Sequence, residues 1–221
     1  LKHISQERYQ GALLKKKATE AQEELLSMHR TSNSIGVIID KNYQITNFEE
    51  IDLSSISLSA KSKLESEAAE KHVKLRINTP TSVKTIGDRQ AIEIAIQHLL
   101  LNAIKYSHGS GKVVASLSYE NDSVVFSIQN TSNIGIPNEI DHHYLWDFGY
   151  RSEQAKEAHV NGSGIGLYTV KKIVTCHYGK VSYDVLDPDK KLIEFKMILP
   201  NKDSIKAYLR MFGSELYKGQ A

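Results

Sequence analysis

Asn161-Gly162-Ser163-Gly164-Ile165-Gly166-Leu167 opens a helix whose apolar face carries Leu167, Val170, Ile173 and Val174, and it follows in the chain Asn102-Ala103-Ile104-Lys105-Tyr106, near the end of another apolar helix. That pair decides the reading. Three alternating glycines leave bare backbone N–H groups beside a helix N-terminus, where unpaired donors and the helix dipole favour an anionic phosphate. On the other helix Asn102, Lys105 and Tyr106 stand at i, i+3 and i+4, so one face presents an amide, an ammonium and a phenol, with His98 a turn earlier. An amide oxygen and an ammonium are groups suited to a metal ion and a phosphate held from the opposite side.

At 221 residues the chain is long enough for one or two domains with a buried core. A formal charge of +2, from 28 basic and 26 acidic residues, gives no global case for nucleic acid or a membrane surface. Cys176 is the one cysteine and cannot close an internal disulfide, which favours a reducing, cytoplasmic compartment. The longest apolar runs, such as 35–39 and 99–101, are far shorter than the roughly 20 residues of a membrane span. No signal peptide is read at the N-terminus. Leu1 begins inside a helix-like pattern, so a longer protein is expected, with any sensor or membrane connection outside this chain.

Residues 1–50 read as a helical segment plus linker. Ala12, Leu13, Leu25, Leu26, Met28, Ile35, Val37, Ile38 and Ile39 suit one or two amphipathic helices, weakened at Gly11 and Gly36. A short strand is expected through Tyr43, Ile45 and Phe48, with the domain boundary beside it. Asp52 would cap a helix reaching about His72, and 73–77 alternates like a strand that Pro80 ends. Asp88 would cap the next helix, with Ile92, Ile96, Leu99, Leu100 and Ala103 on one side and Ile94, Leu101 and Ile104 on a second. Strands are expected at 112–119 and 123–129 around a turn at Glu120-Asn121-Asp122, and at 180–185 and 192–199 around Asp187-Pro188-Asp189. The pattern predicts an α+β fold, a two-layer α/β sandwich over 51–200 with an antiparallel strand set. A C-terminal extension, 201–221, would add a packing helix through Ile205, Leu209 and Met211.

A Rossmann fingerprint is excluded because the polar stretch before the glycines is no strand, and a Walker A loop because no Gly-Lys-Ser/Thr follows. Ser163 lacks the strand-to-helix elbow of a hydrolase nucleophile. His142, His143 and His159 lack zinc-ligand spacing and a cysteine partner. Taken together, the chain resembles the ATP-binding catalytic domain of bacterial sensor histidine kinases, of the GHKL superfamily with its Bergerat fold. Gly87-Asp88 and the helix ending His98-Leu-Leu-Leu-Asn102-Ala-Ile-Lys105-Tyr106-Ser are similar to the N box. Asn130-Thr-Ser-Asn-Ile-Gly135-Ile136-Pro137 is similar to the G1 box, Leu145-Trp-Asp-Phe-Gly-Tyr150-Arg151-Ser to the F box, and 161–167 to the G2 box. His177-Tyr-Gly179 stands where these kinases carry His-Gly-Gly.

The resemblance implies Mg-ATP as ligand. Asn102 would coordinate Mg²⁺ through its amide oxygen, Lys105 would meet phosphate, and Tyr106 and Ile136 would line the nucleotide site. Arg151 would neutralise charge on the phosphates. Gly162, Ser163, Gly164, Ile165, Gly166 and Leu167 would bring backbone donors to the triphosphate, beneath a short lid at 152–161 that orders with nucleotide. The G1 box of the family begins with Asp, which accepts from the adenine amino group. Here that position falls on Asn130 if one extra residue is allowed, and on Thr131 if not. His98 replaces the family's usual Asn, and its imidazole would either serve the metal site or pack.

A kinase of this kind transfers the γ-phosphoryl group to a histidine on a dimerisation helix and then to an aspartate of a response regulator receiver domain. Residues 1–50 would be the remnant of those dimerisation helices, making a homodimer, with His3 and His29 the weak phosphoacceptor candidates: neither is followed by the acid that the family's motif requires. Two alternatives stay open. One is a non-catalytic, kinase-like module regulating a partner kinase. The other is a GHKL ATPase, which would need a general base that the Asn102 face does not offer unless His98 serves.

Overall fold

The computed structural model describes residues 48–137, 139–158 and 162–212. The readings of residues 1–47, including His3 and His29, and of Asn161 lie outside them. A five-stranded sheet runs in the order β2-β4-β5-β7-β6, from β2 (Lys74–Asn78), β4 (Lys112–Glu120), β5 (Ser123–Thr131), β6 (Lys180–Asp187) and β7 (Leu192–Pro200). Neighbours are antiparallel except for β2 and β4, which pair in parallel from Lys74 opposite Lys112. Period-two alternation turns Val124, Phe126 and Ile128 of β5 and Phe195, Met197 and Leu199 of β7 to one buried face, where the helices cover them. This is a two-layer α+β sandwich.

The helices follow their caps. Asp52 Oδ1 accepts from Ser54 N at 2.9 Å and Ser55 N at 3.5 Å, starting α1 (Leu53–Ser62). Its other carboxylate oxygen accepts from Ser82 Oγ at 2.9 Å, so the cap also fixes the approach to β3 (Lys84–Gly87). The single helix expected to reach His72 is instead two, α1 and α2 (Glu65–Glu70). Between them Leu64 leaves helical geometry to bury its side chain, and the chain leaves α2 through His72 at φ +56. The strand β3 was not expected. It pairs antiparallel with β1 (Glu49–Asp52) as a separate ribbon and ends at Gly87, immediately before the cap of α3 (Arg89–Lys105).

Asp88 accepts from Ala91 N at 2.9 Å and starts α3, whose Ile92, Ile96, Leu99, Leu100, Ala103 and Ile104 are buried. Against it lies α6 (Gly166–Cys176), buried through Thr169, Val170, Ile173 and Val174. Between β5 and α6 along the chain come α4 (Glu139–Tyr144) and α5 (Glu153–Glu157). The stretch read as a lid without secondary structure thus carries a helix, because Ser152 caps it and Ala155 alone buries it. The last element, α7 (Lys202–Phe212), puts Ile205 against Ile86, with Phe48 and Tyr178 packed around them. Among the described residues no helix is long and apolar enough to cross a membrane.

Candidate nucleotide site

The site is assembled by the crossing of α3 and α6, and one buried histidine fixes that crossing. His177, at the C-terminal end of α6, places Nδ1 2.8 Å from Ile173 O and Nε2 3.0 Å from the backbone N–H of Asp88. A carbonyl can only accept and an N–H can only donate, so Nδ1 carries the proton and the ring is neutral. Burial pushes its pKa down to about 4. A Cβ on Gly87 would stand 2.6 Å from Cδ2 of His177, so glycine is required where the two elements meet. The start of one helix is thereby tied to the end of the other.

Along the crossing, His98 meets the glycine run at its helical end: a Cβ on Gly166 would lie 3.4 Å from His98 Nδ1. Lys105 meets it one step earlier, with Nζ 2.5 Å from where a Cβ on Gly162 would be. The ammonium therefore rests on bare backbone, and any larger residue at 162 would displace it. Gly164, at φ +71, is held from the other side, because a Cβ there would fall 2.5 Å from the carbonyl carbon of Gly149. Gly149 N donates to Gly164 O at 3.2 Å, joining the expected F-box turn to the glycine run. Ile165 caps α6, Leu167 is half-buried in its first turn, and Ser163 is exposed between the two glycines.

Three cations share this region. Lys105 lies 5.4 Å from the centre of the Tyr106 ring, and the Arg151 guanidinium hydrogen-bonds the Tyr106 hydroxyl while donating through Nη2 to Ala155 O at 3.0 Å. Burial, and then the positive charges of Arg151 and Lys71, push the Lys105 ammonium down to about 8. Burial pushes the Tyr106 phenol up. Lys71 carried no sequence signal. It comes near because parallel pairing sets the start of β2 beside the chain that leaves α3: Lys74 N donates to Gly111 O at 3.0 Å. Asn102 is half-buried on the same helical stripe.

The loop after β5 is strapped to the end of α3. His108 N donates to Thr131 O at 3.2 Å, Asn133 N to Tyr106 O at 2.9 Å, and Ser132 Oγ to Gly135 O at 2.6 Å. Ile136 is half-buried beyond Gly135, which takes φ +98. Strand alternation decides which residue of the expected G1 box faces the helix layer. Asn130 follows Phe126 and Ile128 inward, 1% exposed, while Thr131 turns to the opposite face. Neither Nδ2 nor Oδ1 of Asn130 has a hydrogen-bond partner among the described residues.

Residues 87–203 match the family described as histidine kinase-, DNA gyrase B-, and HSP90-like ATPase. The chain belongs to this ATPase family. Among curated members, it is 24% identical over 166 residues to the sensor-like histidine kinase SenX3 of Mycolicibacterium smegmatis, covering 73% of this chain and 43% of SenX3. It is 26% identical over 120 residues to the heme sensor protein HssS of Staphylococcus aureus, covering 54% of this chain and 24% of HssS. The chain thus spans less than half the length of these curated ATPase-family relatives. Two solved structures share the fold: the mycobacterial sensor histidine kinase MprB, with a TM-score of 0.62 at 23% identity over 71% of this chain and 99% of that one, and histidine kinase ThkA in complex with response regulator protein TrrA, with a TM-score of 0.64 at 17% identity over 86% and 52%. The mixed sheet with helices on one face is the fold of those kinase domains.

Proposed function

We propose that this ATPase-family unit binds Mg-ATP and is the catalytic part of a sensor histidine kinase that works as a homodimer with a response regulator. The observation that supports this best is Lys105, a desolvated ammonium set against the backbone of Gly162 and raised in energy by two neighbouring cations. A partly buried ammonium beside two further cations is stabilised when an anion joins it, and a triphosphate supplies that charge. The donor set also suits the metal. Mg²⁺ would be held by the Asn102 amide oxygen and by phosphate oxygens, the hard oxygen ligands that ion prefers. When bound, Mg²⁺ neutralises charge on the phosphates.

The roles of this chain's residues follow. Lys105 and Arg151 hold the phosphates and withdraw charge as the bond from the γ-phosphorus to the bridging oxygen lengthens. Backbone N–H groups between Gly162 and Gly166 orient the γ-phosphoryl group. The nucleophile is a neutral imidazole nitrogen on a dimerisation helix, which bonds to phosphorus as ADP departs and gives up its ring proton. The reading is tested by incubating the full-length protein with γ-labelled Mg-ATP. Label on a histidine, lost in acid and passed to a receiver domain, is expected. Nucleotide binding with no protein label would overturn kinase activity and leave a regulatory module; multiple-turnover phosphate release without label would point to an ATPase.

A further inference from the structure

Asn130 is the last inward-facing residue of β5, flanked in the sheet by Val113 of β4 and Ile193 of β7 and followed at once by the loop strapped to Tyr106. Every other inward position of that strand is apolar. A primary amide buried there with both groups unmet carries the desolvation cost of its NH2 donor and its carbonyl acceptor. A leucine of similar size would avoid that cost. An amide kept in such a place suits a ligand that brings a donor and an acceptor side by side.

We infer that Asn130 reads the six-position edge of a purine and accepts both 6-amino and 6-oxo bases, so that the site takes inosine as well as adenine nucleotides. This rests on the nucleotide reading above. Adenine presents the N6 amino donor beside the N1 acceptor. Hypoxanthine presents the O6 acceptor beside the N1–H donor. An Asn side chain turned by half a revolution about its last bond exchanges Oδ1 and Nδ2, so one residue pairs with either edge: Oδ1 accepts from N6–H while Nδ2 donates to N1, or Nδ2 donates to O6 while Oδ1 accepts from N1–H. The amide is neutral, so neither base meets a repelling charge. A base edge reaching Asn130 displaces its covering neighbours and satisfies both groups in exchange.

The test is calorimetry of the whole chain with Mg-ADP, Mg-IDP and the diphosphate of purine riboside, which keeps N1 and lacks the six-substituent. Mg-ADP and Mg-IDP are expected to bind within about tenfold of each other, and the purine riboside diphosphate about tenfold more weakly, the loss of one hydrogen bond. In Asn130→Leu both natural-edge ligands should weaken by tenfold or more, while the ligand-free protein is at least as stable to urea as the wild type. That stability readout separates a base-reading residue from a structural one, whose loss would destabilise the fold. Mg-ADP binding with Mg-IDP weaker by a hundredfold overturns the inference and leaves nucleotide binding intact; unchanged affinities in Asn130→Leu do the same. No binding of any of the three overturns both.

Discussion

His177 makes folding of this unit depend on pH in a calculable way. The folded chain holds the ring neutral, with a pKa of about 4 against the ordinary 6.5, so below pH 6.5 the unfolded chain binds a proton that the folded chain refuses. Stability is therefore highest above that value and falls with pH through the window between 6.5 and 4. The gap amounts to almost nothing at pH 8, about 2 kcal/mol at pH 5 and about 3 kcal/mol at its acid limit. Against a total of roughly 5–15 kcal/mol this is a large fraction, and it moves a urea midpoint by about 1 M between pH 8 and pH 5. His177→Gln removes the titration and keeps an oxygen able to accept from Asp88 N. Urea unfolding of both proteins at the two pH values isolates the histidine from the carboxylates, Asp88 among them, whose charge faces His177. The variant should start lower and lose about 2 kcal/mol less on acidification. Equal losses in the two proteins would refute the neutral, doubly hydrogen-bonded ring.

Other consequences are as direct. Gly164→Ala sets a Cβ within 2.5 Å of the Gly149 backbone at φ +71, so it should unseat the glycine run and weaken Mg-nucleotide affinity tenfold or more, measured by calorimetry; unchanged affinity would contradict the packing described. Lys105 is half deprotonated near pH 8 in the free protein and fully charged beside phosphate, so binding at pH 8 should take up about half a proton and weaken as pH rises further, read from binding heats in buffers of different ionisation enthalpy. Asp52→Ala removes the cap of α1 and the anchor for Ser82, and should cost about 1–2 kcal/mol in urea unfolding at neutral pH.

What could be read from the sequence was what local rules govern. Asp88 and the apolar spacing after it marked α3, the turn at Glu120-Asn121-Asp122 marked the β4–β5 hairpin, and the glycine run marked the start of α6. Elements that exist only through distant partners were not legible. Four residues of β3 become a strand because β1 lies beside them, and α5 needs only Ala155 buried, too little for a periodic signal. His72 and Tyr178 adopt positive φ without being glycine, each in the turn that closes a helix, where Val73 N donates to Ala68 O and Gly179 N to Val174 O. The site divides the same way. Asn102, Lys105, Arg151 and the glycines were marked by motif, whereas Lys71 and the His177 link depend on strand pairing and helix crossing across long stretches of chain.

The central claim is that Lys105 on α3 and the glycine run before α6 together hold the phosphates of Mg-ATP. Calorimetry of wild type, Lys105→Ala and Asn102→Ala with a non-hydrolysable Mg-ATP analogue tests it most directly. Measurable binding by the wild type is expected, weakened at least about tenfold in each variant, with the Asn102→Ala loss smaller when Mg²⁺ is chelated. Equal affinity in all three proteins, or no heat from any of them, would contradict it.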